Sequence, residues 1–315
     1  MSKFRLTELL IKSLFTGLRN HLTKNKGTDL YFAFNQQSSL AEMLRLSQEE
    51  NFDKEVHIII PTKDKAYLLE KCVKSIIKFS SGWKLRITIV DNGSEEPETF
   101  ILLSRLKGDF PFIDVMRDGR PFNYSQLNNV AFKKVNAEIS IFLNNDVEIF
   151  SAGWLEDVTG LLKHELIAVV GQKLIYPDGS IQHFGVKLGQ GLVAGHPFQG
   201  SSIRNINLSQ ALEAPIEVSA VTGACLAIKS SIFRTVGGFD ENLPVGYNDV
   251  DLCMSIRNLG LKIVLAPKIR AIHHESQTRG KIRSFSQIRR AIYDTLYMIY
   301  KHGSSLQKDP FIRKC

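Results

Sequence analysis

Between Val56 and Leu143, short apolar runs alternate with stretches of helical periodicity. The runs are Val56–Ile60, Leu85–Val90, Phe112–Met116 and Ile139–Leu143. Between the first two, Leu68, Leu69, Cys72, Val73, Ile76 and Ile77 recur at helical spacing; Phe100, Leu102, Leu103 and Leu106 do so next, and a third helical stretch spans Tyr124–Val135. Runs this short, rich in β-branched residues, read as strands, and the stretches between them as helices. Strand, helix and strand in succession specify βαβ crossovers, so the expected fold is α/β, with a Rossmann-like, mainly parallel sheet. Such sheets bind ligands at the carboxyl ends of their strands.

After residue 150 the rhythm changes. Val169–Tyr176, the turn Pro177-Asp178-Gly179 and Ile181–Leu188 read as a hairpin, while Val218–Ile228 and Lys262–Leu265 read as further strands around a helix at Val250–Leu259. The second half is expected to be a mixed α/β extension packed on the first. No internal repeat interrupts either half.

Charge is unevenly placed along the 315 residues. The net charge of +8 divides into +5 over residues 1–27 (six Lys/Arg, one Glu), +7 over 279–315 (nine Lys/Arg, two Asp) and −4 for the body between. An acidic body argues against a nucleic-acid groove; basic ends suit an anionic surface such as the inner leaflet of a membrane. At the first of these ends, Leu6, Leu9, Leu10, Leu14 and Leu18 recur at helical spacing with Lys12 and Arg19 between them, an amphipathic pattern that fits docking on the body or on a bilayer. No apolar run approaches the ~20 residues that span a bilayer, and the start lacks a secretory cleavage pattern. Cys72, Cys225, Cys253 and Cys315 form no CxxC pair, which points away from zinc or a disulfide framework and toward a reducing, cytoplasmic setting.

Polar residues gather where the sheet would place a ligand: Thr62 and Asp64 after the first strand, Asp91 after the second, and Asn144-Asn145-Asp146 after the fourth. Each has a plainer reading, because Asp91-Asn92-Gly93 is a good turn and Asn-Asn-Asp can cap a helix. A dinucleotide fold needs GxGxxG after the first strand and a P-loop needs GxxxxGK[ST]; Pro61-Thr62-Lys63-Asp64-Lys65 is neither. A nucleotide site built from carboxylates instead needs a hard divalent cation to bring a diphosphate beside them.

The segments IIIPTKDK, IVDNGSEE, PFNYSQLNN, ISIFLNNDVEI, YPDGSIQHFGV, VTGACLAI, GGFDENLPVGYNDVDLC and IHHES resemble, in order and approximate spacing, the bacterial family 2 glycosyltransferases of the GT-A fold. The likeness is to the branch that builds cell-surface polysaccharides, rhamnosyltransferase-like members included. It covers roughly residues 55–280, and KHGSSLQKDPF near the end resembles that branch's closing segment. The implied organisation is a basic helix and linker over 1–54, a nucleotide-binding half over 55–150, an acceptor half over 151–280 and a basic helical segment over 281–315.

The resemblance also implies roles. Pro61, Thr62 and Asp64 would line the base and ribose pocket, with Asp91 on the base. Asn145 would approach the ribose or donor sugar, Asn129 would join the donor set, and Gly223 and Ala224 would border the sugar. Asp146 would bind Mn2+ or Mg2+ together with His273, or His274 in its place. Asp249 takes the position of the catalytic base, with Asn248, Asp251, Trp154 and Tyr247 on the acceptor side. Asn144-Asn145 stands where acidic residues are common in the family, and Asn248 where a Glu often precedes the base. The implied partners are a nucleoside-diphosphate sugar and a glycan or lipid-linked oligosaccharide at the cytoplasmic membrane face.

Elementary chemistry fits those roles. Inverting transfer needs one base for the acceptor hydroxyl and positive charge for the departing diphosphate. A retaining double displacement would want a second carboxylate close by, and Asp251, two residues beyond Asp249, should point away on a helix. Asp249 as a helix cap and His273 as a structural histidine are the plain alternatives. Adjacent strand residues face opposite sides, so His273 and His274 cannot both serve one site. Two other functions remain open at this point: a non-catalytic nucleotide-sugar-binding subunit and a sugar nucleotidyltransferase.

Overall fold

A computed structural model describes residues 53–203, 214–274, 285–307 and 309–311, with Leu40 and Leu44. The amphipathic helix expected over residues 6–18 lies outside them. Strands β1 (Glu55–Thr62), β2 (Lys84–Asp91), β3 (Ile113–Arg117) and β4 (Ile139–Leu143) lie in the order β4-β1-β2-β3, all parallel. Helices α1 (Ala66–Phe79), α2 (Pro97–Asp109) and α3 (Tyr124–Phe132) connect them. The helical stretch expected to reach Val135 ends at Phe132.

Strand residues alternate between two cores. Ile58, Ile60, Ile87, Ile89 and Ile141 enter one cluster with Leu69, Cys72, Val73 and Leu102 of α1 and α2; Ile59, Val90 and Phe142 enter the other with Leu127 and Phe132 of α3. A sheet covered on both faces makes each strand a continuous apolar run, which is why these strands were legible as such. Local chemistry sets the helix starts. Pro97 opens α2 ahead of Glu98 in its first turn, and Asn123 caps α3 by accepting the Gln126 N–H (3.1 Å).

Beyond β4 the sheet continues through β11 (Cys225–Lys229), β6 (Ile167–Ile175), β12 (Lys262–His273) and β10 (Ile216–Glu217). Strand β11 is antiparallel to both β4 and β6, so this half is mixed. The hairpin is present, β6 pairing antiparallel with β7 (Ile181–His183), but Lys187–Leu188 (β8) turns away to pair with Ala194–Gly195 (β9). The run expected as one strand over Val218–Ile228 is divided. Val218, Ala220 and Val221 are buried in the core that holds Phe142, with Val221 lying against Gly171, where an added Cβ would fall 2.5 Å from it. Strand β12 extends past Leu265 to His273 with register shifts around Pro267, a residue that cannot donate to a ladder.

Helices α4 (Trp154–Leu162), α5 (Ser230–Thr235), α6 (Asn248–Arg257) and α7 (Phe285–His302) complete the layers. Met298 of α7 and Leu306 beyond it are buried in the same core as Phe142, and Asp309 accepts from the Leu188 N–H and the Ser219 hydroxyl, each at 2.8 Å. The closing segment is thereby docked on the body. Among the described residues no helix is long and apolar enough to cross a membrane.

Candidate active site

Parallel register puts Thr62 opposite Asp91, and Asp91 opposite Arg117, at the carboxyl ends of β1, β2 and β3. Asp91 is 2% exposed; its Oδ1 accepts the Ser94 N–H (2.8 Å) and its Oδ2 takes the guanidinium of the half-exposed Arg117 (2.6 Å). Arg117 was not among the residues singled out from the sequence. Its signal was a basic residue ending a buried strand at the ligand-binding edge.

Pro61 and Thr62 end β1 and are buried. Asn145 donates to Thr62 Oγ1 (2.9 Å), joining the β1 end to the loop after β4. Asp64 is turned to another task. It sits at φ 52, and its Oδ1 accepts the N–H groups of Glu95 (2.7 Å) and Glu96 (2.9 Å). Its slight burial, which opposes ionisation, is outweighed by those N–H groups, which lower its pKa. Asp64 therefore braces the loop that leads into α2.

Strand β5 (Val147–Ile149) pairs antiparallel with the end of β12, bringing the two histidines to the loop after β4. His273 Nε2 lies 3.1 Å from Asp146 Oδ1, and both residues are buried. His274 faces the other way, its Nε2 3.1 Å from Glu148, whose carboxylate also holds Lys71 (2.7 Å). Strand alternation thus separates the pair, and His273 is the one beside Asp146.

The donors at this corner, the Asp146 carboxylate and the His273 imidazole whose Nε2 faces it, are of a kind that fits a Mn2+ or Mg2+ ion. Among the described residues no group of three or more His, Cys, Asp or Glu side chains could hold a metal by itself. A cation here would need oxygens from a bound diphosphate or from water.

The turn before β11 links this corner to Asp249. Asn144 donates its N–H to the Ala224 carbonyl (3.0 Å), and the Gly223 N–H goes to Asp249 Oδ2 (2.9 Å). Asp249 is in the first turn of α6, partly buried, with its Oδ1 taken by the Val250 N–H (2.8 Å). It is not the cap of that helix; Tyr247 occupies the cap position, at φ 59 and with no capping side-chain bond. Behind the turn, Tyr124 donates its hydroxyl to the Gly223 carbonyl (2.7 Å), and a Cβ on Gly223 would lie 3.1 Å from that hydroxyl. His183 supports the same turn through the Thr222 N–H (3.3 Å). Burial, with His196 and His273 nearby, pushes His183 well below the usual imidazole value, so it accepts as a neutral ring.

Six other residues expected around the site have partners within the protein. Trp154 is fully buried in the core beneath α4, its indole N–H on Ser80 (3.0 Å), because a large apolar ring gains more from that core than from a wet cleft. Asn129 spends its amide on the 239–241 segment, donating to the Phe239 carbonyl and accepting the Phe239 N–H, both at 2.9 Å. Ala224 is in the same core as Trp154, so its backbone and not its methyl serves the turn. Asn248 donates inward to the carbonyls of Leu243 and Val245 (each 3.3 Å), and Asp251 is held by Lys301 and His302 of α7. Tyr247 is half-buried against the core; burial, with Asp294 and Asp249 adding to it and a bond to Thr295 opposing, raises its hydroxyl above the usual value.

A two-sided α/β sheet of this order is the GT-A glycosyltransferase fold, and two solved structures share that fold. One is GalNAc-T7 with UDP, GalNAc and Mn2+ (TM-score 0.62, 15% identity, covering 81% of this chain and 50% of that one). The other is the mannosyltransferase PcManGT from Pyrobaculum calidifontis in complex with GDP-Man and Mn2+ (TM-score 0.58, 18% identity, covering 90% and 74%). The family model described as glycosyl transferase family 2 matches residues 57–237, and the chain belongs to that family. Relatives include uncharacterized protein y4gI of Sinorhizobium fredii, 41% identical over 71% of this chain, and O-antigen biosynthesis protein RfbC of Myxococcus xanthus, 33% identical over 81%. The chain spans 25% and 20% of the lengths of those two proteins.

Proposed function

We propose that the chain is an inverting glycosyltransferase that moves a sugar from a nucleoside diphosphate to a hydroxyl group of a growing surface glycan, with Asp249 as its base. The observation that carries this reading is the hydrogen-bonded turn from Asn144 through Ala224 and Gly223 to Asp249, which ties the carboxylate beside His273 and the carboxylate on α6 to one end of the sheet. Asp91 and Arg117 would meet the base, Thr62 and Asn145 the ribose or donor sugar. Asp146 and His273 would hold Mn2+ or Mg2+, which when bound neutralises charge on the diphosphate.

In the step itself, the acceptor hydroxyl gives its proton to Asp249 as its oxygen bonds to the anomeric carbon. The bond from that carbon to the diphosphate breaks, and the diphosphate leaves with the electron pair. The supply of carboxylates supports inversion. Asp251, the second acid of the YNDVD segment, is engaged by Lys301 and His302 and so cannot serve as the nucleophile of a double displacement. An open groove of about 400 Å3, walled in part by Phe122, Pro244 and Tyr293, borders the loop that leads to Asp249, without Asp249 in its lining. A lipid-linked acceptor at the cytoplasmic membrane face, with the basic ends drawn to anionic lipid, fits the charge distribution.

The test is release of nucleoside diphosphate from a panel of UDP-, GDP- and dTDP-sugars with Mn2+, with and without a bacterial membrane-lipid extract. Release with at least one donor, abolished by EDTA, is the expected result. A folded chain that releases none from any donor would falsify the reading, and release of pyrophosphate would replace it with nucleotidyl transfer.

A further inference from the structure

The segment that carries Asp249 is held in part by its own side chains, Asn248 donating to the Leu243 and Val245 carbonyls and Asn242 to Asp240, but the start of its helix is strained. Tyr247 caps α6 in the left-handed region, where a non-glycine residue costs about 1–3 kcal/mol, and offers no capping side-chain bond. Neighbouring elements add to these bonds.

One such element is α7. The Lys301 ammonium lies 2.7 Å from Asp240 Oδ2 and 2.9 Å from Asp251 Oδ1, so one charge joins the start of the loop to the first turn of α6, on either side of the base. His302 reaches the same Asp251 oxygen at 2.7 Å, and the Tyr297 hydroxyl donates to Asp240 (2.8 Å). Midway along the loop, the Gly246 N–H meets Asp294 Oδ2 (3.3 Å), and a Cβ at Gly246 would press on the same oxygen at 3.3 Å. Asp251 is 2% exposed, and a buried carboxylate stripped of its cation is strongly unfavourable. Helix α7 therefore helps to place the loop and the first turn of α6, together with α3 and the Gly223 N–H.

We infer that Lys301 is a positioning residue for Asp249: it staples Asp240 to Asp251 and so fixes the α6 first turn against the Gly223 N–H. The inference rests on the reading of Asp249 as the base, and its test separates the two. In the full chain, Lys301→Met is compared with Lys301→Arg for hydrogen exchange over residues 243–253 and for nucleoside diphosphate release from whichever sugar nucleotide the wild type turns over. Lys301→Met is expected to lower kcat at least ten-fold with donor KM within two-fold, and to speed exchange in 243–253 but not in β1. Lys301→Arg, which keeps a cation between the two carboxylates, is expected to stay within three-fold of wild type.

Unchanged kcat in Lys301→Met overturns the positioning role, whether or not exchange rises, as does a parallel rise in exchange across the whole sheet. Should Lys301→Met not fold, Asp240→Asn releases one end of the staple, with the same split between kcat and KM expected at about three-fold. No change there overturns the inference equally. A wild-type chain that turns over no sugar nucleotide removes the base, and the positioning of it, together.

Discussion

Gly223 donates its backbone N–H to Asp249 Oδ2 at 2.9 Å, joining the turn before β11 to the first turn of α6. A main-chain donor cannot be deleted by changing a side chain, but it can be displaced. Gly223→Ala places a Cβ 3.1 Å from the Tyr124 hydroxyl, with ring carbons at 3.4 Å behind it. Overpacking of this kind costs about 1–3 kcal/mol, and either the turn that bonds Asp249 or the Tyr124 ring must shift to relieve it. The variant should unfold at lower denaturant and lose activity. In a Tyr124→Phe background, where the hydroxyl is gone, the added cost of the alanine should shrink; a double-mutant cycle with additive energies would mean that the hydroxyl is not the obstacle.

Asp249→Asn keeps the shape of the side chain and an oxygen able to accept from Gly223, and removes the base. Turnover should fall about 10²–10⁴-fold, with little change in thermal stability or in the affinity for UDP and Mn2+. A variant that keeps more than a tenth of wild-type turnover would assign the proton transfer elsewhere.

His273→Ala should weaken Mn2+ binding measured by calorimetry in the presence of UDP, by about 10–100-fold, on the scale seen when a metal's partners are removed. His274→Ala should leave it unchanged, because that ring faces Glu148. Equal losses in the two variants would show that the strand, and not a ligand, had been disturbed.

The sheet was legible because burial on both faces writes each strand as an apolar run. The limits of that signal are plain at residues 218–228. Val218, Ala220 and Val221 are as apolar as any strand, and what keeps them out of β11 is packing against Gly171 and Gly185, glycines distant in the chain. At the site, the strand-end polar residues were legible from position alone, whereas partnership was not. Spacing along α6 indicated that Asp251 points away from Asp249, but its cations lie about fifty residues further on, in no local pattern. Trp154 shows the same limit in reverse: residue type does not distinguish an aromatic ring in a cleft from one in a core.

Acid titration should expose the α7 clamp. Partial burial disfavours the Asp240 carboxylate, but Lys301, the Asn242 N–H and the Tyr297 hydroxyl outweigh it and lower its pKa to about 2. A folded-state value below that of the unfolded chain stabilises the fold at any pH above the unfolded value, near 4. That contribution is lost as pH falls from about 4 to about 2. The group is partly open to solvent, so screening reduces it to about 1 kcal/mol. Wild type and Asp240→Asn should therefore differ by about that amount in urea denaturation at pH 7 and converge near pH 2. A gap that persists unchanged at pH 2 would mean that the asparagine disturbs packing and that the carboxylate charge is not what Lys301 holds.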